Sequence, residues 1–313
     1  MPAWKILVAD GLNENGLEIL RAAAQVDDCT GITPEELLRE IGQYEALVVR
    51  SRTKVSLAVF NAADRLIVVG RAGVGVDNID LAAASTHNVT VVNAPLSTSL
   101  AVAEQTLALM LALARSIPRA DAAMKSGQWI KKELEGVELY GKVLGIIGVG
   151  HIGGEVARRA AAMGMKVLGY DALLPGDAIR QHGAEPVSLQ ELYHRSDFIS
   201  LHVPLTPETR DLVNGQTLGL MKRGVRLVCT ARGGIIDETD LLGALESGQV
   251  AGAALDVFSK EPPGLSALVA HPHVIATPHT SAQTVEAQDR AAADIASEVL
   301  AALRGERLHW KVV

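Results

Sequence analysis

KVLGIIGVGHIGGEVA, residues 142–157, carries an apolar run into glycines at 148, 150 and 153 and out into a helix-forming stretch. The run reads as a buried strand and GGEVARRAAAMG as the helix that follows. In the G-x-G-x-x-G spacing, Gly148 permits a tight turn, Gly150 lets a pyrophosphate approach the backbone and Gly153 lets helix and strand pack closely. The first helical amides then face the anion. Alone, such a turn is a weak signal, because close packing by itself also selects glycine. Its context here is strand, loop and helix, and the next strand ends in GYDA with Asp171 twenty-three residues beyond Gly148. A carboxylate there accepts hydrogen bonds from ribose hydroxyls and repels a 2′-phosphate, so the expected cofactor is NAD rather than NADP.

Outward from that turn, KVLGIIGVG, MKVLGYDA, DFISLHVP, VRLVCTARG, GAALDVF and HVIATPH read as strands, most of them separated by helical stretches. This is a doubly wound parallel sheet. Upstream, KILVAD (5–10), ALVVRS (46–51), LIVVGRAG (66–73) and TVVNAP (90–95) read as strands of a smaller parallel sheet. Between the two series runs a long apolar helix, from 98 to about 125, broken or bent by Pro118. It has too little polar surface to stand uncovered, so it is expected between domains, at a subunit interface, or both. A last helix over 284–304 follows the second sheet and is expected to cross back onto the first domain. The expected division is 1–97 with 285–313 as a discontinuous substrate-binding domain and 98–284 as the NAD-binding domain.

A chain of 313 residues with 48% hydrophobic and only 3% aromatic content must build its cores from Ala, Val, Leu and Ile, which favours α/β layers over a sandwich. A formal net charge of −7 and the lack of a basic block speak against a nucleic-acid partner. No apolar run reaches membrane-spanning length, and MPAWKILVAD has neither the length nor the flanks of a signal peptide. Cys29 and Cys229 match no zinc or redox spacing, so no metal is expected and a reducing cytoplasm is.

Ligands of open α/β sheets bind beyond the carboxyl ends of the strands. Arg232 lies at the end of VRLVCTARG, Glu261 lies a few residues after GAALDVF, and His279 ends HVIATPH. Singly, each has a plainer reading: a helix-capping salt bridge, a solvated acid before Pro262-Pro263, a loop histidine. Together they complete a chemical set. Imidazole exchanges a proton near neutrality, guanidinium binds a carboxylate bidentately, and an acid beside the imidazole holds its working state. Such a set suits hydride transfer between a 2-hydroxy acid and its 2-oxo acid.

Carried by VVRSRTKV, VVGRAGVGVDNIDL, GIIGVGHIGGEVA, TARGGIIDE, GAALDVFSKEPP and TPH, the chain resembles the D-2-hydroxyacid dehydrogenase family over nearly its whole length, most closely the D-3-phosphoglycerate dehydrogenase branch. The resemblance implies two Rossmann-like domains, a flavodoxin-like substrate domain and an NAD-binding domain, with the active site in the cleft and a homodimeric assembly. It puts the catalytic arginine, glutamate and acid/base histidine at Arg232, Glu261 and His279. Around NAD it implies His151 and Ile152 at the phosphates, Asp171 at the ribose, Val203 and Pro204 at the adenine, Thr230 and Ala231 beside the nicotinamide, and Asp256 at its carboxamide. For the substrate it implies backbone amides of the turn from Arg71 through Ala72, Gly73 and Val74 to Gly75 at the carboxylate, with Arg50 and Lys54 near a phosphate. Charge agrees: in an acidic protein, Arg50, Arg52, Lys54 and Arg71 make an island of positive potential for an anion.

Two departures fall near the expected substrate and nicotinamide. Ser97-Thr98 stands where the branch usually has Gly-Asn or Ser-Asn, and Ser281 where the family commonly has glycine. The chain ends at Val313, so appended regulatory domains and serine feedback are not expected. The expected reaction is NAD-dependent oxidation of 3-phosphoglycerate to 3-phosphohydroxypyruvate, with a hydroxypyruvate or glyoxylate reductase as the alternative. A nucleotide-sensing binding protein like the C-terminal-binding proteins is a further alternative; its peptide-binding cleft would need exposed apolar residues on the first domain, and nothing in the sequence of 1–60 stands out as such.

Overall fold

The computed structural model describes residues 4–313. The chain separates into two compact units, one reaching to Thr98 and including Gln283–Val313, the other Ser99–Ala282.

The first unit is a five-stranded parallel sheet of β1 (Lys5–Val8), β2 (Gln25–Asp28), β3 (Ala46–Val49), β4 (Val68–Arg71) and β5 (Thr90–Asn93), in the order β2-β1-β3-β4-β5. This is the flavodoxin-like winding. β3 is buried along its whole length, whereas β2, of sequence QVDD, is an exposed edge that apolar patterning does not reveal. Helix Pro34–Glu40 begins with a capping box: the Thr33 hydroxyl accepts from Glu36 N, and the Glu36 carboxylate accepts in return from Thr33 N. Helix Val285–Arg304 starts at Thr284, whose Oγ1 accepts from Ala287 N, and stops at Gly305 in the left-handed conformation. Its apolar face, Ala287, Ala291, Ile295, Val299 and Leu303, packs on helix Glu14–Arg21 and on β4 and β5. The end of the chain thus completes the core of the unit that begins it.

The second unit is a seven-stranded parallel sheet: β6 (Val143–Ile147), β7 (Lys166–Tyr170), β8 (Glu185–Pro186), β9 (Phe198–Leu201), β10 (Val225–Cys229), β11 (Val250–Leu255) and β12 (Val274–Ala276). The order β12-β11-β10-β9-β6-β7-β8 reverses direction between β6 and β9, which is the switch point of a doubly wound sheet. β8 is a two-residue edge strand, too short to leave a pattern in the sequence. The long apolar segment forms two helices, Ser99–Ala114 and Ile117–Lys125, bent by 64°. The break lies at Ser116, in the left-handed conformation, and Pro118 occupies the first turn of the second helix, where its missing N–H costs nothing. Helix Ser99–Ala114 packs on β10, β11 and helix His151–Ala162. No single helix among the described residues is long and apolar enough to cross a membrane; only the bent pair passes by length and composition.

Candidate active site

Three neighbouring strands of the second unit end level with one another, because Cys229 pairs with Leu255 and Leu255 with Ala276. Arg232, Glu261 and His279 all follow those ends at one edge of one sheet. His279 Nδ1 lies 2.8 Å from Glu261 Oε2, and Phe258 N donates to Glu261 Oε1 at 3.1 Å. Both side chains remain substantially exposed, at 46% and 38%. With Nδ1–H donating to a carboxylate, the lone pair of the neutral imidazole resides on Nε2, the outward nitrogen able to take a proton. Arg232 Nη1 donates to Ala231 O at 2.6 Å, which folds the guanidinium back on its own turn.

At the switch point, Gly148 has φ of 91°, and a Cβ there would come within 2.7 Å of His202 O. A Cβ on Gly153 would lie 2.1 Å from Gly148 O, so turn and helix approach more closely than any side chain permits. Gly150 instead faces open space, and no side chain caps helix His151–Ala162, which it introduces. His151 is exposed and Ile152 partly so. Asp171 Oδ2 accepts from Val149 N at 2.9 Å, and Oδ1 accepts from Leu173 N at 2.9 Å and Leu174 N at 3.1 Å. The acid is thereby held against the glycine turn. An uncapped helix start, an open glycine and a fixed carboxylate at a switch point fit a dinucleotide pyrophosphate and ribose.

Beyond β9, Val203 is partly buried and Pro204 exposed. His202, just before them, has a ring Nδ1 shut off from solvent with no hydrogen-bond partner among the described residues, and burial pushes its pKa down to about 4. Thr230 is buried, with its hydroxyl 2.9 Å from that of Thr106, and Ala231 is partly exposed beside it.

Asp256 differs from the rest of the expected cofactor set. It is fully buried, and both its carboxylate oxygens are engaged by residues 277–281. Its observed partners are a loop of the protein, not the open edge.

In the first unit, Arg71 Nη1 donates to Ala72 O at 3.1 Å, and a Cβ on Gly73 would collide with that guanidinium. The turn is tied to the end of β5 by Ala94 N to Gly73 O and Asn93 Nδ2 to Val74 O. Loop 50–53 is held from both sides. Asp10 accepts from Arg50 N, Thr53 N and the Thr53 hydroxyl, while Asn78 Nδ2 donates to the carbonyls of Arg50 and Thr53. Arg52 is paired with Asp10 at 3.0 Å and donates to Ala9 O, so its charge is neutralised within the clamp and leaves the expected island. Arg50 Nη2 donates to Gln288 Oε1; burial lowers the guanidinium's pKa, with Asp10 opposing. Lys54 is exposed. The Ser97 hydroxyl is turned onto Ala94 O at 2.8 Å. Asp10 and Asn78 escape a reading of sequence because their partners lie some 25 to 43 residues away.

The family model for the NAD-binding domain of D-isomer specific 2-hydroxyacid dehydrogenases matches residues 107–281. The chain is 49% identical over 303 residues to D-3-phosphoglycerate dehydrogenase of Methanocaldococcus jannaschii, covering 96% of this chain and 58% of that protein. It therefore spans little more than half the length of that relative. A glyoxylate reductase from Paecilomyes thermophila superposes with a TM-score of 0.91 at 30% identity, covering 100% of this chain and 99% of that one. D-lactate dehydrogenase from Aquifex aeolicus, complexed with NAD and lactic acid, does so with a TM-score of 0.83 at 30% identity and 96% of each chain.

Proposed function

Because this chain belongs to the D-isomer specific 2-hydroxyacid dehydrogenase family, we propose that it oxidises the D-2-hydroxy acid 3-phosphoglycerate to 3-phosphohydroxypyruvate with NAD. The observation that carries the reading is the 2.8 Å pair of His279 and Glu261 at the carboxyl edge of a glycine-turn sheet. NAD supplies the hydride acceptor. Gly148, Gly150, Gly153, His151 and Ile152 hold its pyrophosphate, Asp171 its ribose, Val203 and Pro204 its adenine, and Thr230 and Ala231 border its nicotinamide.

The C2 hydroxyl gives its proton to His279 Nε2 as hydride leaves C2 and the carbonyl forms. Glu261 balances the imidazolium charge through Nδ1–H and fixes the starting tautomer. Arg232 binds the substrate carboxylate and polarises the reacting oxygen. In the first unit, Arg71, Ala72 and Gly73 serve the carboxylate and Arg50 and Lys54 the phosphate. The clamp of Asp10 and Asn78 on loop 50–53 favours such a role, since it fixes the loop before any ligand arrives.

Homodimerisation and a cytoplasmic site of action belong to the same reading. A cavity of about 510 Å³ lined by Ala120, Ala123, Met124, Trp129 and Leu134 leaves Met124 and Trp129 exposed, an apolar surface suited to a second copy. Cys29 and Cys229 are free thiols, which suit a reducing compartment.

Initial rates with NAD across D-2-hydroxy acids with and without a 3-phosphate test the substrate. Arg50→Gln should raise KM for the phosphorylated acid by about 10-fold or more and for its unphosphorylated analogue much less, with added salt eroding the preference. Equal losses for both would make the Arg50, Lys54 and Arg71 cluster a structural or general anion-steering feature and leave a hydroxypyruvate or glyoxylate reductase as the alternative.

A further inference from the structure

Asp256 follows the last residue of β11 and is 0% exposed. An ionised carboxylate in such a place is tolerated only if its lone pairs are filled by donors. Its side-chain partners among the described residues, Thr277, Thr280 and Ser281, come from one short stretch. Oδ1 accepts from the Thr277 hydroxyl at 2.5 Å and Thr280 N at 2.9 Å, with the Thr280 hydroxyl more distant at 3.4 Å. Oδ2 accepts from Ser281 N at 2.8 Å and the Ser281 hydroxyl at 2.5 Å. About four lone-pair sites are available on a carboxylate, and these donors satisfy both of its oxygens. The backbone carbonyl of Asp256 also accepts, from His279 N at 2.9 Å.

The residue bracketed by these bonds is His279. It has φ of 52°, in the left-handed region that non-glycine residues rarely adopt. A backbone held in such a state returns to a commoner one unless its neighbours over-determine it, and the donors at 277, 280 and 281 lie on both sides of it. The direction of the His279 Cα–Cβ bond follows from that backbone, and with it the reach of Nδ1 to Glu261.

We infer that the hydroxyls of Thr277 and Ser281 position His279 through the Asp256 carboxylate, so that Thr277, Asp256 and Ser281 act as positioning residues of the proton acceptor. The inference rests on the reading of His279 given above. It gives Ser281 a specific task, since a glycine at that position would offer Asp256 only the backbone donor.

Ser281→Ala and Thr277→Val each remove one hydroxyl while changing little volume, and Thr277→Ser restores the hydroxyl without the methyl. Each deletion should lower kcat by about 10-fold through loss of alignment while KM for NAD and for the hydroxy acid stays within about two-fold. Thr277→Ser should recover most of the kcat lost in Thr277→Val. Independently of turnover, hydrogen exchange in the enzyme without cofactor should accelerate by about 5-fold or more at the His279 and Ser281 amides in both deletion variants, with the sheet strands unchanged. Full kcat in both Ser281→Ala and Thr277→Val overturns the positioning role, as does a Thr277→Ser variant no better than Thr277→Val. A rise in KM for NAD at constant kcat also overturns it, in favour of a cofactor contact. Full kcat in His279→Gln overturns instead the proton-acceptor reading beneath it.

Discussion

A histidine with one ring nitrogen donating to a carboxylate and the other outward is ready to accept a proton at Nε2 when neutral and to give one when charged. Oxidation of the alcohol requires the neutral imidazole and reduction of the ketone the charged one, so the two rates should respond to pH in opposite directions. His279→Gln keeps a polar side chain of similar reach but cannot cycle a proton, so kcat should fall by roughly 10² or more in both directions with NAD affinity little changed. Paired pH–rate profiles with NAD titrations check this, and near-normal turnover in His279→Gln would refute it. At this scale the candidate residues are legible in the sequence because each follows a recognisable strand. What they bond to is less so. Asp10 anchors Arg50 N and Thr53 N from forty residues or more away, and no periodicity announces such a pairing.

Strand, turn and helix around Gly148 form the most legible element, since every property it needs is local: a buried run, a positive φ and a close helix start. Asp171 belongs to this element through its bond to Val149 N. Removing the carboxylate relieves repulsion of a 2′-phosphate but also deletes the acceptor for three backbone amides. Asp171→Ala should accordingly raise KM for NAD and narrow the ratio of kcat/KM for NAD over NADP by about 10-fold or more. Equal efficiencies with the two cofactors in the unmodified protein would defeat the assignment. Elements with weaker local signals were less legible. The edge strand QVDD is polar because one side of it meets water, and β8 is two residues long. The bend in the long apolar segment sits at Ser116, ahead of Pro118, because proline fits the first turn of the following helix.

Stability of the whole molecule against acid should depend on His202. Its folded-state pKa of about 4 lies below the value of roughly 6.5 for an unfolded histidine, so on acidification the unfolded chain binds the proton first. The stabilisation of the native state relative to the protonated unfolded chain is complete above about pH 6.5 and is lost as pH falls toward 4, with a slope of at most about 1.4 kcal/mol per pH unit from this one group. His202→Gln should reduce the difference in unfolding free energy between pH 7 and pH 5 measured by urea titration; an undiminished difference would assign the acid sensitivity elsewhere. Across the molecule, the sequence by itself determined two parallel α/β sheets, the glycine turn, its acid and the return of the last helix, because burial and helix periodicity write themselves into consecutive residues. Tertiary structure alone decided that Arg52 is neutralised by Asp10, that Asp256 is filled by the loop carrying His279, and that His279 holds a left-handed backbone. Those outcomes depend on which donors meet which buried acceptors. A hydrogen bond between residues some twenty to forty positions apart fixes geometry without imposing a pattern on the chain between them.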